Sequence, residues 1–269
     1  MERKEYKTRC GNIVYWTNTV LLSRRTLVFL PGLSANHTLF EKQIEYFSNT
    51  YNVLVWDAPA HAASRPFSLN FTLKDKAIWL HEILEKEGMV SPILIGQSMG
   101  GYVSQMYLEL FKDASGFVSI DSAPLQKQYL KKWELLFLKH TEIMYRAFPW
   151  KLLLYYGSVG VSVTKFGQKQ MRKMMEEYSN DPRYYCSLVG HGYRILAQAI
   201  ELNLSYNIYC PCILICGKKD QAGFVKKYNK EWLKRTGLTM YWIDGAGHNS
   251  NSDQPEIVNS IIQTFVENT

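Results

Sequence analysis

The stretch LIGQSMGGY, residues 94–102, places Ser98 between two glycines directly after a run of apolar residues. Residues Gly96 to Gly100 match the pattern G-x-S-x-G. Glycine and serine are common residues, so a match to such a short pattern carries little weight by itself. It leaves two interpretations open: a nucleophile held on a tight turn, or a serine that only caps the following helix.

The sequence on both sides of Ser98 alternates between short apolar runs and apolar stripes with helical spacing. Short apolar runs bounded by turn residues predict strands that are buried on both faces. They cover residues 26–30, 52–56, 92–96, 116–120, 212–216 and 239–243. Apolar stripes with helical spacing lie between them, starting after Ser98 and again within 224–232 and 257–266. Such alternation predicts an α/β fold, a mostly parallel central sheet flanked by helices.

One long segment interrupts this alternation. Residues 122–194 contain no clear strand; their sequence has helical periodicity and is rich in tyrosine, tryptophan, methionine and lysine. We expect a helical cap inserted into a core formed by residues 1–121 and 195–269. Ligands of open α/β sheets bind outside the carboxyl ends of the strands, so this cap is expected to roof the site. Eight large apolar residues of this segment are candidates to line an apolar pocket: Trp133, Phe137, Met144, Trp150, Tyr155, Met171, Met174 and Met175. The alternative is that they only pack the cap onto the core.

Composition indicates a folded chain with a large core. Apolar residues make up 46% of the sequence, and the formal net charge is +7. The basic residues are scattered at helix-like spacing, which favours solvated helix faces over a patch that binds nucleic acid or acidic lipid. The first residues lack the apolar core of a signal peptide, and the most apolar stretch, 147–163, is interrupted by Pro149 and Lys151. We expect a cytoplasmic protein without a membrane span; its oligomeric state is left open.

The cysteines are expected to be free thiols. Their number is odd and no signal peptide precedes them, which argues against a disulfide framework: Cys10, Cys186, Cys210, Cys212 and Cys216. The run CPCILIC has no histidine nearby that would complete a tetrahedral metal site. The sequence therefore predicts small buried side chains here and no metal.

A nucleophilic serine needs a base and a group that orients the base. Of the six histidines, only His248 follows the last predicted strand, in a loop of small residues. Asp220 comes just after the preceding strand, at the sheet edge where Ser98 is expected. Asp121 ends an earlier strand and is the competing orienter, whereas Asp244 is too close to His248 in the chain. The resulting order is serine, aspartate, histidine.

Several ordered segments resemble the α/β-hydrolase superfamily, specifically its cap-bearing serine hydrolases, over nearly the whole chain. Residues 28–66 are similar to its oxyanion loop, first helix and following strand-turn, and residues 215–220 and 244–259 to its acid and histidine segments. The turn DAPAHAAS departs from the family pattern, because Ala60 and Ala62 stand where glycines are common. Alanine resists positive φ, so a remodelled turn is expected there.

The resemblance implies a mechanism and a site. Ser98 would attack a carbonyl, His248 would act as base, Asp220 would orient it, and the backbone N–H groups of Leu33 and Met99 would form the oxyanion hole. The substrate would be a small, apolar ester, thioester or amide, with no cofactor. Alternatives on the same residues are carbon–carbon hydrolysis, lyase or acyltransferase chemistry, or a non-catalytic ligand-binding role.

Overall fold

The computed structural model describes residues 1–269 and contains one eight-stranded sheet. Its strands, β1 to β8, span Glu2–Thr8, Gly11–Thr17, Thr26–Leu30, Asn52–Trp56, Ile93–Gln97, Gly116–Ile120, Cys212–Gly217 and Thr239–Ile243. The order across the sheet is β1-β2-β4-β3-β5-β6-β7-β8. The β2 strand pairs antiparallel with β1 and β4, and all other neighbours are parallel. This is the predicted α/β architecture.

The six apolar runs identified in the sequence are the strands β3 to β8. Every residue of β3, β4, β5 and β6 is buried, because helices cover both faces of the centre of the sheet. The hairpin of β1 and β2 was not predicted. It extends one edge of the sheet, and β1 has no buried residue.

Ten helices surround the sheet. In chain order α1 to α10 span Glu41–Phe47, Leu73–Lys86, Met99–Phe111, Lys132–Ala147, Trp150–Val159, Lys165–Glu176, Pro182–Glu201, Val225–Thr236, Ser250–Asp253 and Pro255–Asn268. None of them is long and apolar enough to cross a membrane.

The four helices α4 to α7 lie between β6 and β7, where the sequence predicts a cap. Helix α7 continues to Glu201, past the predicted boundary at residue 194. It continues because its buried face does: Ile195, Leu196, Ala199 and Ile200 are all buried. The division of the chain into core and cap stays a prediction.

Candidate active site

Ser98 lies on the turn between β5 and α3. Its backbone is strained, with φ 50° and ψ −114°, a combination that non-glycine residues rarely adopt. The glycines on either side permit this turn. A Cβ on Gly100 would lie 1.8 Å from the Leu30 carbonyl oxygen, and one on Gly96 would lie 2.5 Å from the Gly100 carbonyl. The tight packing of α3 against the sheet therefore requires both glycines.

The side chain of Ser98 does not cap α3. Its Oγ instead lies 2.9 Å from Nε2 of His248, and Nδ1 of that ring lies 3.0 Å from Oδ2 of Asp220. The interpretation of Ser98 as a simple N-cap is therefore wrong. The three side chains form one continuous chain of hydrogen bonds.

The parallel sheet explains why residues so distant in sequence meet. Ser98 follows β5, Asp220 follows β7 and His248 follows β8, so all three lie at the carboxyl edge of the sheet. The acid and histidine loops approach closely because Gly217 has no side chain: a Cβ there would lie 2.0 Å from the Gly247 carbonyl oxygen. Asp220 is held in turn by the Ala222 N–H, which donates to Oδ1 at 2.7 Å.

The two other candidate carboxylates are placed differently. Asp121 is fully buried beside the site, but its oxygens accept the backbone N–H groups of Gly217 and Ser250, each at 2.8 Å. Asp244 pairs with Lys218 on the surface. Of the three candidate acids, Asp121, Asp220 and Asp244, only Asp220 forms a hydrogen bond with the His248 ring.

Burial and the neighbouring charges shift the pKa of His248 in opposite directions. Burial disfavours the charged imidazolium, but the hydrogen bond to Asp220 and the charges of Asp220 and Asp121 outweigh it, so the pKa of His248 is raised above 6.5. Burial, followed by the charge of Asp220, raises the pKa of Asp121. A raised histidine pKa is suited to accepting a proton near neutral pH.

The two proposed backbone donors lie beside Ser98. Met99 is the first residue of α3, and N–H groups in a first helical turn have no acceptor within the helix. The Leu33 N–H makes no hydrogen bond within the protein. It follows Gly32, where a Cβ would lie 3.1 Å from Ser98 Cβ. Their role as donors to an oxyanion next to Ser98 stays a prediction.

A cavity of about 680 Å³ opens next to these groups. Of its 35 lining residues, 25 are hydrophobic, and Leu33, Ser98, Met99 and His248 are among them. The lining contains no lysine or arginine, and its one carboxylate is that of Glu134. The cavity therefore suits an apolar molecule without negative charge.

The predicted roof residues divide into two groups. Trp133, Phe137, Met144 and Met171 line the cavity. The other four do not: Met174 and Met175 are buried in the core, Trp150 packs edge-on against Tyr185, and Tyr155 is exposed. The sequence could not separate the groups because aromatic and methionine side chains serve both purposes equally well.

The turn after β4 keeps left-handed backbone conformations although it lacks glycine. Ala60 has φ 74° and Ala62 has φ 37°. The alanines therefore occupy strained conformations instead of remodelling the turn. Two tyrosines hold it in place: Tyr184 Oη donates to the Ala60 carbonyl at 2.9 Å, and the Ala62 N–H donates to Tyr178 Oη at 3.2 Å.

Two polar residues that position the site were missed in the sequence. Gln97 Nε2 donates to the His248 carbonyl at 2.8 Å and so links the serine turn to the histidine loop. Asp253 accepts N–H groups from Gly247, Val163 and Thr164 at 2.8–2.9 Å, joining the histidine loop to the segment before α6. Gln97 occupies a position of G-x-S-x-G at which the pattern specifies no residue, and nothing in the sequence around Asp253 distinguishes it from an exposed aspartate.

The acids and a thiol near the site form a cluster. Ligand atoms of Asp121, Cys216 and Asp220 lie within 4.8 Å of one another. Their carboxylate oxygens already accept hydrogen bonds from backbone N–H groups or face the His248 ring. These bonds account for the cluster without a metal ion. All five cysteines are free thiols; of the three in CPCILIC, only Cys216 is buried, whereas Cys210 and Cys212, predicted to be buried, are partly exposed.

Comparison with known proteins identifies the family. The family model described as alpha/beta hydrolase fold matches residues 25–255, so the chain belongs to the α/β hydrolase fold family. It is 23% identical over 256 residues to the (E)-2-((N-methylformamido)methylene)succinate hydrolase of Acinetobacter baylyi, covering 90% of each chain.

Solved structures share the fold. A thermophilic esterase from Thermogutta terrifontis superposes with a TM-score of 0.79 at 16% identity, covering 100% of this chain and 99% of the esterase. An E-2-(acetamidomethylene)succinate hydrolase gives a TM-score of 0.73 at 16% identity, with 99% of both chains covered. Esterases and other hydrolases are thus among the proteins that this chain resembles.

Proposed function

We propose that the protein is a serine hydrolase that cleaves a small, apolar ester, thioester or amide through an acyl-enzyme on Ser98. The observation that carries this proposal is the hydrogen-bonded chain from Ser98 through His248 to Asp220, which opens into an apolar cavity. A serine that already contacts a buried, oriented histidine has its base in place for nucleophilic attack.

The reaction proceeds in two half-reactions. Ser98 Oγ attacks the substrate carbonyl while His248 Nε2 takes its proton, and the charge on the carbonyl oxygen is stabilised by the Leu33 and Met99 N–H groups. His248 then protonates the leaving alcohol, thiol or amine as the bond to the acyl carbon breaks. Water repeats the sequence on the acyl-enzyme and releases the acid. Throughout, Asp220 holds the imidazole orientation and stabilises the imidazolium.

The lining of the cavity supports the proposed substrate class. The relative from Acinetobacter baylyi is named for a substituted succinate, which is a dicarboxylate. Here the lining offers no lysine or arginine to pair with carboxylates, and the buried Glu134 would repel them. We therefore assign an uncharged, largely apolar acyl or alkyl group to the cavity, and we propose that α4 to α7 act as the cap that encloses it.

A substrate panel tests this function. We expect turnover of p-nitrophenyl esters that exceeds turnover of matched amide, lactone and diketone substrates, and a Ser98→Ala variant that is reduced to background. Ser260→Ala, on the exposed surface of α10, is the matched control and should behave like the parent. Diketone cleavage without ester cleavage would contradict the acyl-transfer proposal and favour carbon–carbon hydrolysis.

A further inference from the structure

The entrance of the cavity is bordered by apolar side chains that face solvent. We call these residues the entrance rim; they line the cavity and are also exposed: Trp133, Phe137, Met144, Phe148, Leu152, Tyr156 and Phe224. Trp133 and Phe224 meet edge-on, with ring centroids 6.1 Å apart, and so connect α4 to the segment before α8. An apolar surface of this kind at a cavity mouth marks an interaction site more often than a free surface.

Helix α4 extends this apolar surface away from the cavity. Its inner face packs against α7, yet its outer face carries a second apolar row. Leu136 and Ile143, which do not line the cavity, are 60% and 68% exposed. With Trp133, Phe137 and Met144 they recur at helical spacing and form one stripe, the α4 stripe, which the exposed His140 interrupts. A helix that needs only one apolar face for folding has a second one available for a partner.

Basic residues border the α4 stripe. Lys132, Lys139 and Arg146 are seven residues apart and therefore follow one row beside it. Residues 126–165 contain seven lysines or arginines and two glutamates. Glu134 is buried and Glu142 is paired with Arg146 and Arg194, while Lys139 pairs with Glu201 at the surface. Lys132 and Lys151, which directly precedes the rim residue Leu152, are exposed and form no salt bridge, so this segment carries an excess of positive charge.

We propose that the entrance rim and the α4 stripe dock onto an anionic phospholipid surface, with the unpaired Lys132 and Lys151 facing the headgroups. A second copy of this chain would bring like charges together, whereas an anionic bilayer complements them. The aromatic rings also fit, since tryptophan and tyrosine favour the boundary between lipid and water. Given the proposed function, docking would place the cavity mouth where apolar esters partition; docking itself requires no catalysis.

Vesicle co-sedimentation of the Ser98→Ala protein tests docking independently of hydrolysis. We expect binding to vesicles of phosphatidylcholine and phosphatidylglycerol in equal parts, and much weaker binding to phosphatidylcholine alone. Binding should weaken as salt rises, because salt screens the lysines. Lys132→Gln combined with Lys151→Gln should lower the partition coefficient roughly twenty-five-fold, since each surface lysine contributes about fivefold.

The apolar contribution is tested separately. Leu136→Ser combined with Ile143→Ser should lower partitioning about a hundredfold, since each inserted aliphatic side chain contributes about tenfold. The matched control is Val90→Ser, because Val90 is 72% exposed but lies outside α4. Equal binding to both vesicle types, equal loss in the control, or no binding would overturn the proposal. If the parent protein forms a dimer and the variant with both Leu136→Ser and Ile143→Ser does not, the α4 stripe binds a second copy of the chain, and the lipid proposal is overturned as well.

Discussion

Replacing Asp121 by asparagine distinguishes the role of Asp121 from that of Asp220, the other acid beside His248. The carboxylate of Asp121 is fully buried, and each of its oxygens accepts one backbone N–H, from Gly217 and from Ser250. Asparagine keeps one acceptor and turns an NH₂ group toward the other N–H, which loses its partner. A hydrogen bond to a buried charge contributes roughly 1.5–3 kcal/mol. Removing the repulsion from Asp220 offsets part of this loss, so we expect a cost of about 2 kcal/mol.

This stability cost should come with a modest loss of activity. Asp121 accepts N–H groups from Gly217 and Ser250 and so joins the loop before Asp220 to the loop that carries His248, without a hydrogen bond to the imidazole. Asp121→Asn should therefore lower kcat of ester hydrolysis by roughly tenfold through misplacement. Asp220→Asn should lower kcat by roughly 10³–10⁴, because it removes the group that orients the ring.

Urea unfolding and p-nitrophenyl ester kinetics measure both effects. Asp244→Asn is the matched control, since that side chain is 81% exposed, and it should change stability by less than about 0.5 kcal/mol. If Asp121→Asn abolishes activity while Asp220→Asn retains it, Asp121 is the orienter and our assignment of the acids is wrong.

Three further predictions follow from the backbone and from His248. Ala60→Gly should stabilise the protein by about 0.5–1 kcal/mol, because the relief of left-handed strain at φ 74° exceeds the entropy that glycine adds to the unfolded chain. Urea unfolding measures this change, and a lower urea midpoint than that of the parent would contradict the prediction. Gly100→Ala should destabilise the fold by more than about 3 kcal/mol, since its Cβ would lie 1.8 Å from the Leu30 oxygen, and a near-parental melting temperature would refute the close packing. The neutral form of His248 is the active base and its pKa is raised, so kcat/KM should fall as pH decreases, with a midpoint above 6.5. Asp220→Asn should move this midpoint to lower pH, and a parental midpoint below 6.5 would count against the raised pKa.

The centre of the sheet was predictable because burial on both faces leaves an unmistakable pattern. The runs TLVFL and NVLVW contain no charged residue, and each became a fully buried strand. Strand β1 was missed because it reads ERKEYKT and remains largely exposed at the sheet edge. Its strand conformation comes from pairing with β2 along its whole length, and such pairing leaves little trace in hydrophobic periodicity.

The placement of Ser98, Asp220 and His248 was predictable for a topological reason. Each follows a strand of one parallel sheet, and the carboxyl ends of such strands lie at one edge. The residues that hold these loops together were not predictable. Asp253 resembles any surface aspartate in the sequence, although it is buried and accepts three backbone N–H groups. Its role depends on the approach of loops far apart in the chain.

The central claim, that Ser98 is a nucleophile activated by His248, is tested most directly by labelling with a fluorophosphonate probe and locating the adduct by peptide mass spectrometry. We predict one adduct, on Ser98, whose rate of formation falls steeply in His248→Ala, while Ser260→Ala labels like the parent. No adduct on Ser98 in a folded protein, together with a Ser98→Ala variant as active as the parent, would contradict the account.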